Sequence, residues 1–205
     1  MVGRTIASKL IDLGHEVMMG TRRADNEKAI SWVASAGGSA KQGSFADAAR
    51  FGEIVVNATN GAHALDALRA AGNENLKDKI LIDVANPLDP ETGALTVCNT
   101  DSLGEQIQRA FPQTRVVKTL NTMNHEVMVQ PDLVPGPHNV FISGNNAGAK
   151  VQVGDLLQSF GWPAEWILDL GDVSTARGAE MYLILWLSLW RATGAAHFNI
   201  RVCTG

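Results

Sequence analysis

Apolar positions along the chain alternate between a helical spacing and short β-branched runs. The helical stripes predict helices over residues 4–13, 26–36, 62–71, 100–110, 147–160 and 173–193. A capping box formed by Ser44 and Asp47 predicts a further short helix that reaches Arg50. The apolar runs predict strands over residues 17–19, 53–58, 79–85, 115–120 and 139–143, with a brief extended piece over 166–169. Strands that alternate with helices in this way indicate a mostly parallel sheet covered on both faces.

The predicted fold class is therefore α/β, with a Rossmann-like, doubly wound sheet and a small C-terminal helical portion. We expect residues 1–145 to form a nucleotide-binding domain and residues 146–205 to pack on it. The segment 131–138 contains three of the chain's prolines and is predicted to lead into an antiparallel or edge strand.

Composition excludes several classes of protein. The chain has 205 residues, of which 45% are hydrophobic and 19% charged, as in ordinary globular domains. Its net charge of -4 argues against a nucleic-acid partner. The most apolar run, Met181–Trp190, is about half as long as a membrane span. Cys98 and Cys203 lie far apart and lack metal-ligand spacing, and Arg4 and Lys9 interrupt any signal-peptide pattern, so we expect a cytoplasmic protein.

The beginning of the chain carries part of a dinucleotide fingerprint. Of the pattern G-x-G-x-x-G only the last three positions are present, as Met1-Val2-Gly3, directly before the first helix. A glycine there lets the backbone approach a pyrophosphate, although it could equally serve close helix–strand packing. The next strand ends in Thr21, Arg22 and Arg23, where NAD-binding chains place an acidic residue. Two guanidinium groups and a hydroxyl favour the 2′-phosphate of NADP, the alternative being a solvated basic loop.

Neutral polar side chains follow three further predicted strands. Asn57-Ala58-Thr59-Asn60-Gly61 ends one strand, Asn86-Pro87-Leu88 the next, and Asn121-Thr122-Met123-Asn124 a third. Because ligands of open α/β sheets bind beyond the carboxyl ends of the strands, these groups could bind ribose, carboxamide and a second substrate. Ordinary turn chemistry is the alternative.

No residue in the sequence stands out as a general acid or a general base. Of the histidines, His125 is the best candidate for a place near a ligand, and we see neither a Ser-His-Asp arrangement nor a metal-binding cluster. We therefore predict no catalytic residue and no metal. Hydride transfer between stacked rings would need positioning more than proton chemistry.

The last predicted helix is apolar on most of its surface between Arg177 and Arg191. Such a helix is either a core helix across the sheet or part of a subunit interface. We favour a homodimer interface.

With these residues identified, the chain resembles the NADP reductases that depend on the deazaflavin coenzyme F420. The resemblance rests on stretches found in order along almost the whole chain: VGRTIASKLIDLGHEVMMGTR, VVNATNGAHALDAL, ILIDVANPLD, VVKTLNTMNHEVMVQP, VFISGNNAGAK, LLQSFGW and RGAEMYLILWLSLWRATGAAHFNIRV. It implies a dimeric Rossmann protein that exchanges a hydride between NADPH and F420.

The resemblance also implies roles for individual residues. Val2 and Gly3 would lie by the pyrophosphate, and Thr21, Arg22 and Arg23 would bind the 2′-phosphate. Ala58, Thr59 and Asn60 would line the cofactor, with Asn86 and Asn121 near the nicotinamide. Met123 and Asn124 are assigned to the deazaflavin side, although no motif identifies that side.

The chain departs from the family pattern at its beginning, where the first strand and its G-x-G do not occur. That strand would lie between the strands at Val17 and Ile54, so its absence predicts two unpaired strand edges. Two other functions stay open. One is an NADPH-dependent reductase of another acceptor, such as a flavin or a small carbonyl compound, and the other is a non-catalytic dinucleotide-binding module.

Overall fold

The computed structural model describes residues 1–23 and 25–205. The strands are β1 (Val17–Thr21), β2 (Ala40–Ser44), β3 (Ile54–Asn57), β4 (Ile80–Asp83), β5 (Arg115–Thr119), β6 (Val140–Ser143) and β7 (Ile167–Gly171). The helices are α1 (Val2–Asp12), α2 (Glu27–Ala36), α3 (Phe45–Phe51), α4 (Ala64–Ala71), α5 (Asn73–Leu76), α6 (Leu103–Ala110), α7 (His125–Val129), α8 (Ala147–Ser159) and α9 (Ala176–Thr193).

The strands form two hydrogen-bonded sheets. β1 and β2 pair in parallel as a small sheet, and the larger sheet has the order β3-β4-β5-β6-β7. β3, β4 and β5 run parallel, β6 is antiparallel to β5, and β7 is parallel to β6. The predicted α/β class and mostly parallel sheet are confirmed. β6 is the antiparallel strand expected after residues 131–138, but it is not an edge strand because β7 pairs with its other side.

Helix α1 packs against both sheets. Within the described residues β1 pairs with β2 alone and β3 with β4 alone, so each leaves one edge unpaired, as the sequence predicts. Ile6 of α1 is buried in the core of the larger sheet, whereas Ala7 packs with Trp32 and Ala40 over the small one. The indole N–H of Trp32 also donates to Ser8 Oγ at 3.0 Å, which ties α2 to α1. Side-chain packing on α1 therefore joins the two sheets.

Strand β2 was not predicted from the sequence. Its residues, AKQGS, contain no apolar run, because this short edge strand buries only Ala40 and Gly43. Helix α3 packs closely on the small sheet, and a Cβ at Gly20 would lie only 2.8 Å from the Cβ of Ala48. A residue without a side chain is needed at that crossing, so β1 carries a glycine in place of another apolar residue.

The largest errors in the predicted helix boundaries are at the starts of α6 and α9. α6 begins at Leu103 and not at residue 100, because it is capped by Ser102, whose Oγ accepts the Glu105 N–H at 3.1 Å. Asp101 accepts two hydrogen bonds from the guanidinium group of Arg109. α9 begins at Ala176, because residues 173–175 form a separate 3-10 turn.

The other expectations about the fold fared differently. The capping box of Ser44 and Asp47 is confirmed, with both reciprocal hydrogen bonds present at the start of α3.

Strand β7 comes from the predicted C-terminal portion, residues 146–205, and it joins the sheet of the preceding residues. The domain boundary after residue 145 stays a prediction.

Among the described residues, no helix combines the length and hydropathy that a membrane span requires.

Candidate functional site

A cleft of about 290 Å³ lies where β3, β4 and β5 end. The segments that follow these three strands form its floor and sides, and the first turn of α1 and the middle of α9 complete it. The lining residues are Val2, Ala58, Thr59, Asn60, Gly61, Val84, Ala85, Asn86, Leu88, Pro90, Asn121, Met123, Met128, Leu183 and Trp186. This is the position at which open α/β sheets bind ligands.

A pair of asparagines joins two of the strand ends. The Asn86 amide donates to the main-chain carbonyl of Asn121 at 2.7 Å, and the Asn121 amide donates to Asn86 Oδ1 at 2.9 Å. Asn121 also donates to the carbonyl of Ala179 at 3.1 Å, which ties α9 to the floor of the cleft. These two side chains are therefore held in place before any ligand binds.

The backbone is strained beside this pair. Leu120, between β5 and Asn121, has φ of 62°, in the left-handed region that a branched side chain rarely adopts. Such a conformation costs on the order of 1 kcal/mol and is concentrated at functional sites. The side chain of Leu120 is buried in the core, and the unusual φ turns the chain so that the next residue reaches the cleft.

The loop after β3 lies against the loop after β4. A Cβ at Gly61 would come within 1.9 Å of the carbonyl oxygen of Asn86, so this position accepts only glycine. Asn60 caps the turn by accepting the Ala62 N–H at 3.0 Å. Thr59 Oγ donates to Asn57 Oδ1 at 2.7 Å, which fixes the hydroxyl at the wall of the cleft.

Helix α9 supplies an aromatic wall. Trp186 lines the cleft together with Leu183, and its ring stacks on Phe198 at 5.3 Å between centroids and on Trp190 at 6.0 Å. The Trp186 Nε1 and the Tyr182 hydroxyl are buried without a hydrogen-bond partner in the described part of the chain. Burial raises the pKa of Tyr182.

The tail after α9 is fixed to the body of the protein behind this wall. The Ile200 carbonyl accepts the N–H of Asn139 at 2.9 Å, and the Asn199 amide donates to the Asn139 carbonyl and to His138 Nδ1, both at 2.9 Å. His197 Nε2 lies 2.5 Å from Glu126 Oε2. These bonds hold Phe198 in its stack on the aromatic wall.

The cleft lining is electrically neutral. None of its residues, all within the described ranges, carries a side chain that titrates between acid and alkaline pH. In residues 1–23 and 25–205, no group of three or more metal-ligating side chains is placed to hold an ion. The lining can hydrogen-bond, stack and exclude water, and it offers neither a general acid nor a general base.

A buried ion cluster lies directly beneath the lining. Lys118 Nζ is 2.8 Å from Asp83 Oδ2 and 2.8 Å from Glu180 Oε1, and the lysine also donates to the carbonyl of Ala85. Burial alone would lower the pKa of Lys118, but the two facing carboxylates raise it above its ordinary value. Burial raises the pKa of Glu180, an effect that the Lys118 ammonium opposes. The sequence placed Lys118 in a predicted strand but gave no sign of these partners.

The basic loop after β1 lies outside the cleft. Thr21 pairs in register with Ser44 of β2, and its Oγ donates to the Arg23 carbonyl at 2.5 Å. The Arg23 guanidinium group makes two bonds to Asp25, at 3.0 and 2.8 Å, and both side chains are largely exposed. Arg22 is exposed and forms no ion pair within the described residues.

The structure brings together most of the predicted site residues. Seven of them line the cleft: Val2, Ala58, Thr59, Asn60, Asn86, Asn121 and Met123. Gly3 lies next to it, because a Cβ at Gly3 would be 3.4 Å from the Cβ of Ala58. Asn124 instead caps α7 by accepting the Glu126 N–H, and His125 bonds Thr5 Oγ at 3.0 Å outside the cleft.

Sequence reasoning missed the far side of the cleft. Leu88, Pro90, Leu183 and Trp186 line it without having been predicted. The apolar pattern of α9 was recognised, but it did not show which of its faces would meet the strand ends.

An open, mostly parallel sheet with a cleft at the carboxyl ends of its strands places the protein in the Rossmann-like α/β class. A family model described as NADP oxidoreductase, coenzyme F420-dependent, matches residues 1–87. A crystal structure from Arthrobacter sp. FB24, provisionally named an F420-dependent NADP-reductase, is 51% identical in sequence. The match covers 99% of this chain and 95% of that one, with a TM-score of 0.92. The chain therefore belongs to the F420-dependent NADP oxidoreductase family.

More distant proteins share parts of this similarity. Metalloreductase STEAP3 of Rattus norvegicus is 27% identical over 201 residues, which make up 98% of this chain and 38% of that protein. The chain thus spans well under half the length of that relative. An imine reductase from Myxococcus stipitatus in complex with NADP+ has the same fold, with a TM-score of 0.63 at 14% identity, covering 93% of this chain and 60% of that one.

Proposed function

We propose that this protein is an NADP(H)-dependent oxidoreductase that transfers a hydride between the nicotinamide and a deazaflavin coenzyme of the F420 type. The observation that carries the proposal is the neutral cleft, which has amides on its floor and an aromatic wall on α9. Reduction of an isolated carbonyl normally relies on a group that protonates the oxygen. A conjugated ring spreads the charge that it receives and can take its proton from water, so a neutral cleft favours a ring acceptor.

The phosphates of the cofactor have suitable groups at hand. Helix α1 has no side-chain cap at its start within the described residues, so the N–H groups around Val2 and Gly3 are free for an anion. We assign them to the pyrophosphate. Thr21, Arg22 and Arg23 are assigned to the 2′-phosphate, because guanidinium groups bind phosphate bidentately.

The nicotinamide half is assigned to the cleft. Asn86 and Asn121 offer amide groups of fixed orientation to the carboxamide, and Thr59 and Asn60 offer a hydroxyl and an amide to the ribose. NADPH, when bound, supplies the hydride and becomes NADP+. The task of these side chains is to hold one face of the ring toward the second substrate.

The second substrate is assigned to the space between the strand ends and α9. Met123, Leu183 and Trp186 provide an apolar and aromatic surface on which a flat ring can stack, and they shield from water the carbon atoms between which the hydride passes. Asn124 lies at the start of α7, next to Met123 in the chain, and is kept as a residue of the deazaflavin side.

Turnover measurements test the proposal. NADPH oxidation is followed optically with F420, with FMN and with a small carbonyl compound as separate acceptors. Turnover with F420 far above that with the others is expected. Turnover with FMN or the carbonyl compound alone would identify a reductase of another acceptor. Binding of NADPH without turnover of any acceptor would instead indicate a dinucleotide-binding module.

A homodimer through α9 is part of the proposal. Ile184 and Leu185 are 43% and 53% exposed and do not line the cleft, so the helix presents apolar side chains away from it. A second copy of the same helix would cover this face and support the aromatic wall from behind. Light scattering should give twice the mass of the chain.

A further inference from the structure

The buried ion cluster of Asp83, Lys118 and Glu180 holds more negative than positive charge. Each oxygen of Glu180 faces donors: the Leu103 N–H at 2.8 Å on one, and the Gly104 N–H at 3.0 Å and Lys118 on the other. A protonated carboxyl there would find no acceptor, so this arrangement requires the carboxylate.

Asp83 is equally surrounded by donors. Its Oδ1 accepts from the Asn57 amide at 2.8 Å and from the Ala85 N–H at 3.2 Å, and its Oδ2 accepts from Lys118. Two carboxylates therefore face one ammonium group. The N-terminus of α6 adds roughly half a positive charge beside Glu180, which leaves the cluster negative by about half to one unit.

This charge is coupled to the cleft through its lining. Ala85 lines the cleft, and its N–H and carbonyl are both bound to the cluster, by Asp83 and Lys118. Asn57 connects Asp83 to the Thr59 hydroxyl on the adjacent wall. Because the lining itself is neutral, no side chain in it offsets the field of the cluster.

We propose that this cluster is an electrostatic element of the nicotinamide site, which stabilises the positively charged, oxidised ring relative to the neutral, reduced ring. The inference rests on the assignment of the nicotinamide to the cleft. An excess of buried negative charge beneath the ring lowers the free energy of NADP+, and it therefore favours release of the hydride from NADPH. Asp83, Lys118 and Glu180 touch neither ring, and they act through their charge alone.

The ratio of the two dissociation constants measures this effect. One unit charge acting over a distance on the order of 10 Å, at an effective dielectric constant of about 20, changes an equilibrium roughly tenfold. E180Q removes one negative charge and keeps the Lys118–Asp83 pair, so the Kd of NADP+ should rise about tenfold relative to that of NADPH. D83N removes the other negative charge and should shift the ratio in the same direction.

The double variant K118M/E180Q is the matched control. It removes one charge of each sign and keeps the net charge of the cluster, so its ratio should stay within about threefold of the wild type although the ion pair is gone. If the cluster had only a structural role, the ratio of the two dissociation constants would change more in K118M/E180Q than in E180Q. The reason is that the double variant disturbs the packing more.

Both dissociation constants are measured by calorimetry on the full chain, with thermal melts confirming that each variant is folded. An unchanged ratio in E180Q and D83N, or a shift toward tighter NADP+, would overturn the inference. A wild type that binds neither form refutes the proposed function itself, which is a different result from binding both forms with an unchanged ratio.

Discussion

The assignment of the basic loop to the 2′-phosphate makes a quantitative prediction for the double variant R22A/R23A. NADPH carries the phosphate and NADH carries a hydroxyl at the same position, so loss of the two guanidinium groups should affect one cofactor and spare the other. The comparison is internal, because the two cofactors are otherwise identical.

The structure sets the size of the effect. Arg23 already makes two bonds to Asp25, so phosphate binding exchanges one anion for another and gains only the difference. An exposed pair of this kind is worth about 0–1 kcal/mol, whereas a hydrogen bond to a charged group is worth about 1.5–3 kcal/mol. Arg22 forms no ion pair within the described residues, so its binding to the phosphate breaks none. These figures give a combined loss of at least about 2 kcal/mol for NADPH, or roughly 30-fold or more in Kd.

The assay is titration of both cofactors, read by the change in tryptophan fluorescence, to which Trp186 in the cleft wall contributes. NADH affinity should change less than about twofold. R69A is the control, because Arg69 is also an exposed arginine in an ion pair, with Asp66 on α4. Neither cofactor should respond to it. D25N should strengthen NADPH severalfold, since it frees Arg23. Equal losses for NADPH and NADH in the double variant would refute the assignment.

Three further predictions concern the rest of the molecule. G61A should abolish cofactor binding and lower Tm, because its methyl group would overlap a main-chain carbonyl, whereas G38A, which has open space around it, should do neither. His138 is buried with its pKa held by burial below the ordinary 6.5, so the stability that it contributes is complete above pH 6.5 and is lost as the pH falls below that value. From pH 8 to pH 5, Tm should therefore fall more steeply in the wild type than in H138Q. An equal fall in both would contradict the direction of the pKa shift of His138. L185K should convert the dimer to a monomer in light scattering while V151K, at another exposed apolar position, leaves it intact.

The parts of the site that the sequence predicted are those in which the signal is local. An amide residue directly after a β-branched strand is visible in a few consecutive letters, and Asn86 and Asn121 were found in this way. The parallel sheet then requires such residues to meet at one edge.

The parts that were missed depend on contacts between distant segments. Trp186 reaches the cleft only because α9 crosses the strand ends, and helical periodicity does not say which face does so. Lys118 occurs in the run RVVKTL, where a lysine looks like a solvent-facing position. Its burial depends on Glu180, which is 62 residues further along the chain. Strand β2 was missed for a related reason, since its place is set by pairing with β1 rather than by its own composition.

The strands are divided between two sheets, and the proposed cofactor site extends over both of them. The loop that we assign to the 2′-phosphate follows β1 in the small sheet, and the cleft that we assign to the nicotinamide follows β3 to β5 in the large one. No ladder of main-chain hydrogen bonds within the described residues connects the two. The distance between the two ends is therefore set by side-chain packing on α1 and α3, each of which contacts both sheets. Ile6 and Ala7 need not touch a ligand, yet their packing helps to set the distance between the two regions that an extended dinucleotide would span.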